Sequence, residues 1–450
     1  MHVKRIPDTT ALKQADLENL VTGILVEARK LGASQAEAGA SMDSGLTLTV
    51  RLGDVETLEY QRDCGLGITV YFGGRKGTAS TADLSSKAVE EALRAAVSIA
   101  RYTAEDECAG LADATLMARD IPDLDLNHPW TLAPDAAIEI ARTCEEAARS
   151  FDRRIENSEG ATVGTHQGMR VYGNSHGFMG GYASSAHSLT CSVIGRQQDS
   201  MQRDDWYTAA RDPLDLESPE SVGRKAAQRT VARLGARRLT TREAPVLFAP
   251  DMARGLIAHF LSAMRGAAQY RQSSFLLGAA GKPVFPDFMQ LSERPHLKKA
   301  LASAAFDNEG VATRDAEIVD RGIAASYLLD SYSARKLKLA STGHAGGIRN
   351  LLVKPGKHDY SGLLHQMHTG LVVTDLMGQG VNPVTGDYSR GASGFWVDKG
   401  EIAYPVEEIT IAGNLKDMYR NIIAVGNDVD ERSAIRTGSI LISSMTIAGE

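Results

Sequence analysis

The chain of 450 residues is poor in cysteine, with only Cys64, Cys108, Cys144 and Cys191, far apart and without a C-x-x-C pair. That spacing excludes a zinc knuckle and a secreted disulfide scaffold. Proline is scarce at 14 residues, which argues against a long disordered tail. No apolar run approaches the ~18 residues a membrane span needs. The opening "MHVKRIPDTTALKQ" has no apolar segment of the signal-peptide kind. A cytoplasmic protein with no membrane contact is expected. Basic clusters are missing too: the net charge is −7, and the densest basic run, "GARRLTTR" at 235–242, is too short to make a basic face. Nucleic acid is therefore not an expected partner. G-x-S-x-G occurs once, as "GNSHG" at 173–177, but in a turn between two probable strands and not as a strand-to-helix nucleophile elbow, and H-E-x-x-H does not occur. By motif the chain reads as a non-enzyme.

What is present describes a folded protein. Hydrophobic residues make up 43% and charged residues 23%, ordinary for a globular chain long enough for two or three domains. Residues 11–31, "ALKQADLENLVTGILVEARKL", carry apolar residues at helical spacing and end before Gly32. Short alternating runs follow, "LTLTVRLG", "VETLEYQRD", "LGITVYFGG" and "KGTASTAD", as in an antiparallel meander. "SSKAVEEALRAAVSIARYT" predicts a helix with serine at its N-cap. The pattern then repeats: a helix at about 133–151, a second Gly-punctuated meander, and a helix in "SPESVGRKAAQRTVARLG". The fold class predicted is α+β. Residues 1–240 form an N-terminal domain of two helix–meander–helix repeats, and residues 241–450 a β-rich C-terminal domain with an early buried helix.

That early helix, "GLIAHFLSAM" at 255–264, raises the main chemical question. At roughly 100° per residue Leu256, Phe260 and Met264 share an apolar face, and His259 falls at its margin. His259 is either a metal ligand or base, or a packed, hydrogen-bonded histidine. Phe260 stands where a metallopeptidase needs a glutamate to deprotonate metal-bound water, which favours packing. "STGHAGG" at 341–347 places Gly343, Gly346 and Gly347 around His344. It reads either as a tight loop or as a set of exposed N–H groups for a carboxylate or peptide backbone. His365 and His368 in "LLHQMH" and His176 in "NSHGF" read as surface, packing or turn residues, with no acid beside the first pair.

The stretches "GLGITVYFGGRKGTASTADLS", "RYTAEDECAGLAD", "LDLNHP", "SYSARKL", "STGHAGG", "TGLVVTDLMGQGVNPVTGDYSRGASGFWV" and "ITIAGNLKDMYRNIIAVGNDV" together resemble the PmbA (TldE) branch of the TldD/PmbA family. The resemblance implies an α+β N-terminal domain and a β-rich C-terminal domain, paired across a large internal cavity. It also implies a cytoplasmic TldD–TldE heterodimer that degrades or trims unfolded peptides, and the family carries the label of DNA gyrase modulation. In the TldD branch an H-E-x-x-x-H helix and a late cysteine hold zinc. Laid on this chain, the two histidines fall on His259 and Met264, the glutamate on Phe260 and the cysteine near Thr437. The resemblance thus implies a non-catalytic subunit without metal of its own, zinc in a TldD-type partner, and Gly343, His344, Gly346 and Gly347 near unfolded peptide substrate. Two alternatives stay open: a peptidase homodimer using His259 with other ligands such as His344, and a regulatory binding protein acting on a topoisomerase or an antitoxin.

Overall fold

The computed structural model describes residues 13–449; the first residues of the helix read at 11–31 lie outside them. Two units of the same build come first: α1 (Gln14–Lys30), β1 (Gln35–Arg51), β2 (Asp54–Phe72), β3 (Arg75–Thr81) and α2 (Ser86–Tyr102), then α3 (Pro134–Arg149), β4 (Ile155–Asn174), β5 (Met179–Gln197), β6 (Ser200–Ala210) and α4 (Pro219–Ala232). Their strands join through β1 and β4 into one antiparallel sheet of order β3-β2-β1-β4-β5-β6. The strands are longer than the alternation suggested. "VETLEYQRD" and "LGITVYFGG" are one strand, because Gly65 and Gly67 between them lie extended and pair with Ser41 and Gly39 across the ladder.

All four helices cover one face of this sheet. Along β1 the even residues Ala36, Ala38, Ala40, Leu46, Leu48 and Val50 are buried. The first three meet α1 and α2, the last three α3 and α4, as a period of two requires of a half-covered strand. The helices supply matching stripes, for example Val89, Leu93, Ala96 and Ala100 of α2, whose N-cap is Ser85 as read from the sequence. Helices α3 and α4 approach backbone to backbone: a Cβ at Gly223 would lie 2.0 Å from the Cys144 carbonyl oxygen. Cys144 and Cys191 are buried neighbours in this core, and the Cys191 side chain and burial raise the Cys144 thiol's pKa.

The remaining chain forms β7 (Arg242–Phe248), α5 (Pro250–Met264), α6 (Gly266–Tyr270), β8 (Leu291–Glu293), β9 (Ala316–Asp320), β10 (Ile323–Ala324), α7 (Ser331–Leu337), β11 (Leu351–Val353) and α8 (Tyr360–Met367). It continues with β12 (Gly370–Met377), β13 (Asp387–Asp398), β14 (Glu401–Asn414), α9 (Leu415–Arg420), β15 (Ile422–Val425), β16 (Ile435–Arg436) and β17 (Ile440–Ala448). Strands β14-β13-β12-β7-β17 close on themselves through a β14–β17 pairing, and β15 flanks β17. Alternate residues point to opposite sides, so Val246 and Phe248 pack with α5 while Leu247 packs with α8. The second sheet, β10-β9-β8-β11-β16, lies beside it and β16 packs against α5. Arg432 sits 3.9 Å over the Trp206 ring and donates to the Tyr207 carbonyl, tying this part to β6. Among the described residues no helix is long and apolar enough to cross a membrane.

Candidate functional site

Helix α5 begins at Pro250, where a missing N–H costs nothing, and runs into the core. Ala253, Leu256, Ile257, Phe260, Leu261 and Met264 are buried along one face. Phe260 and Met264 are 0% exposed. The Phe260 ring makes edge contacts with Phe285 at 5.0 Å and Tyr419 at 6.3 Å between centroids. Tyr419, itself fully buried, donates its hydroxyl to the Leu256 carbonyl at 2.9 Å. Thr437 is also 0% exposed and follows β16, which packs on α5; its hydroxyl donates to the neighbouring Gly438 carbonyl. The fold therefore brings the Thr437 segment to the helix of His259, Phe260 and Met264.

His259 is half-buried, and its ring has no hydrogen bond with any described residue. That corrects the expectation of a hydrogen-bonded core histidine: at the margin of the apolar stripe it meets an aromatic ring instead of a polar partner. It stands edge-on to Tyr388, 6.2 Å between centroids. Burial, followed by the positive charge of Arg390, holds its pKa below the usual histidine value, so the ring is neutral near pH 7. Tyr388 and Arg390 occupy alternate positions of β13 and so project from the same face. Burial pushes the Tyr388 phenol up to about 12, with Arg390 opposing. The Tyr388 hydroxyl and Arg390 Nε are buried side by side, interacting with each other but without a hydrogen bond of good geometry among the described residues, which leaves both able to take a further polar partner.

These side chains do not fit catalytic zinc, which takes about three protein ligands of the His, Cys or carboxylate kind and an open position. No three such side chains among the described residues converge, and the charge acting on His259 is a guanidinium, which repels a dication. The set instead offers a phenol, a guanidinium and a neutral imidazole, all able to donate to an oxygen. Tyr388 and Arg390 escaped the sequence reading. Their signal was the period-two spacing of two polar residues inside "GDYSRGAS".

The "STGHAGG" loop has another character. Gly343, Gly346 and Gly347 have φ of +77°, +92° and +105°, so only glycine sits there without strain. Its N–H groups mostly point inward, contrary to the reading of several exposed donors. Gly343 donates to Ser341 Oγ, His344 to the Leu329 carbonyl, Ala345 to Asp307 Oδ2 and Gly347 to the His344 carbonyl. His344 is buried between Thr342 Oγ1, 2.8 Å from Nδ1, and Glu293 Oε2, 2.8 Å from Nε2. The backbone had to satisfy its own donors before it could be buried. Of Gly343, His344, Gly346 and Gly347, only Gly346 is exposed. Elsewhere, His365 lies in the last turn of α8 near Glu401 at 3.9 Å, correcting the absence of an acid, and His368 lies beyond the helix at φ +62°. His176 occupies the β4–β5 turn, its Nδ1 3.1 Å from the Ala112 carbonyl oxygen.

The sequence matches three family models: PmbA/TldA metallopeptidase domain 1 over 36–100, the central domain over 127–234 and the C-terminal domain over 241–449. It is 52% identical to the metalloprotease PmbA homolog of Haemophilus influenzae, covering 99% of this chain and 100% of that protein. Identity to metalloprotease PmbA of Escherichia coli O157:H7 is likewise 52%, over 92% of each chain. Among solved structures, a Bacteroides thetaiotaomicron protein provisionally named a modulator of DNA gyrase superposes with a TM-score of 0.92 at 29% identity, covering 97% of this chain and 100% of that one. TldE from Thermococcus kodakarensis shares the fold, with a TM-score of 0.84 at 21% identity over 96% of this chain and 100% of that one. With an α+β fold of several domains and near-full-length relatives of one name, the chain belongs to the PmbA branch of the PmbA/TldD metallopeptidase family.

Proposed function

We propose that this chain is the non-catalytic subunit of a cytoplasmic TldD–TldE-type zinc metallopeptidase complex, in which it closes the cavity and holds extended, unfolded peptide. The observation that carries the reading is the filled site on α5. Phe260 and Met264 occupy the positions that the family resemblance gives to the base and second ligand, and both are wholly committed to packing. A half-buried neutral His259 beside Tyr388 and Arg390 can hold a carbonyl or carboxylate oxygen but cannot activate water at a metal. Zinc belongs, in this reading, to the TldD-type partner. Similar faces of two related chains meet about a pseudo-two-fold axis, and alone the chain self-associates through the same face. The homodimeric peptidase gains no support, since His344 is already held by Glu293 and Thr342.

The test is to mix the purified chain with a TldD-type protein and follow particle size and hydrolysis of an unfolded peptide. Activity and a larger particle are expected only in the mixture. Full activity of the TldD-type protein alone, unchanged in size and rate on mixing, refutes the reading. So does stoichiometric zinc with chelator-sensitive peptidase activity in this chain by itself.

A further inference from the structure

The sheet face turned away from the four helices carries a cavity of about 780 Å³, whose lining includes Gly39, Ser41, Gly67, Gly168 and Arg170. Small residues make the room. A Cβ at Gly67 would meet nothing within 4 Å, so that position opens on empty space. Arg170 pairs with Ser41 across β1 and β4 and stands on this face. Its guanidinium has no carboxylate partner among the described residues. Its neighbours are the Tyr182 ring, with Cζ 5.9 Å from the centroid, and Asn308 Oδ1, 3.4 Å from both Nη1 and Nη2. The acid in the same cavity, Asp43, is engaged by His166 at 3.1 Å.

Asn308 connects this arginine to the glycine loop. Its backbone N–H donates to the Ala345 carbonyl, and a Cβ at Gly346 would lie 2.4 Å from its amide nitrogen. Gly346 is the exposed position of that loop, and its own N–H has no partner among the described residues. A planar guanidinium fork, held by an aromatic face and an amide oxygen yet lacking a counter-charge, is matched in geometry to a carboxylate. The Asn308 amide lies beside it, and Gly346, with its unpartnered N–H, packs against that amide.

We infer that Arg170, with Asn308 and the Gly346 N–H, forms a receptor for the free C-terminal carboxylate of a peptide lying in the cavity on the sheet's open face. The inference rests on the reading of this chain as a peptide-holding subunit and names the group by which the peptide is anchored. Glycines on the floor let an extended backbone lie close, and the carboxylate sets its end and direction.

The test uses the full-length chain and a fluorescently labelled flexible peptide, prepared with a free C-terminus and as its C-terminal amide. Anisotropy titration is expected to show the acid binding about 10- to 100-fold more tightly than the amide, the range for a hydrogen bond to a charged group. Arg170→Gln is expected to abolish that preference by weakening the acid alone. Gly67→Leu, which fills the cavity without a backbone clash, is expected to weaken both forms. Equal binding of acid and amide to the unaltered chain overturns the carboxylate receptor while leaving the peptide-holding reading intact. A preference retained in Arg170→Gln, or full binding in Gly67→Leu, overturns the assignment of the site. Absence of any peptide binding, alone or with the TldD-type partner, overturns both. Thermal melts of each variant separate these outcomes from misfolding.

Discussion

If α5 has been given over to packing, putting the missing base back should damage the protein. Phe260 is 0% exposed and its ring lies among Phe285, Tyr419 and the apolar side chains of the closed barrel. Phe260→Ala removes that ring and leaves a cavity, which costs about 3–5 kcal/mol, including the edge contacts, worth about 0.5–1.5 kcal/mol. Phe260→Glu removes the same ring and adds a carboxyl group among buried apolar and aromatic side chains. Such a group either stays charged at high cost or takes up a proton. Its loss should therefore exceed that of alanine at pH 8 and shrink toward it at pH 5. His259→Ala, by contrast, removes a half-buried ring without hydrogen bonds and should cost no more than about 1 kcal/mol. Urea unfolding of the three variants at both pH values, followed by tryptophan fluorescence and circular dichroism together, measures the differences. Phe260→Glu within about 1 kcal/mol of the unaltered chain, or zinc bound by Phe260→Glu combined with Met264→His, would refute the argument.

His344→Ala should destabilise the chain by about 1.5–3 kcal/mol, because Glu293 would keep the Arg349 N–H but lose the imidazole; hydrogen exchange at residues 341–347 should speed up in the same variant. Glu309 gives a pH test. Burial raises its carboxyl to about 7, well above the ordinary glutamate value near 4.5, so the folded chain retains a proton that the unfolded chain releases. Its penalty is absent below about pH 4.5, grows as pH rises to 7 and is constant above. Glu309→Gln, which can still accept from the Ser331 N–H, should thus stabilise the protein by about 1–3 kcal/mol at pH 8 and by little at pH 5. Equal effects at the two pH values in urea unfolding would show that burial does not control this carboxyl.

The amphipathic helices were legible because their signals are local. Ser85 caps α2 and the apolar residues of α1 recur at three and four, regardless of what they pack on. Strand lengths were not, since Gly65 and Gly67 look like breakers until β1 lies beside them. The filled site on α5 was readable as spacing, Phe260 and Met264 falling on Leu256's face. The missing partner of His259 was not, because Tyr388 comes from a strand more than a hundred residues later. In "STGHAGG" the glycines did announce left-handed backbone, but the direction of the N–H groups depends on Leu329 and Asp307, which no local pattern names. Arg170 gave no warning either. An arginine in a strand is unremarked until the acid near it, Asp43, proves to be engaged by His166.

The seam between β1 and β4 has a consequence during synthesis. It pairs residues 37–50 with 161–174, across more than a hundred residues of chain. As the protein emerges from the ribosome, α1 through α2 can assemble first, but one long edge of β1 then stands open until β4 has been made. An unpaired edge of that length is a template for any other extended chain. Closing it requires a distant contact, which forms slowly. The nascent first half therefore depends on prompt arrival of the second, and a pause in translation between residues 102 and 174 should raise misassembly far more than one placed after α4.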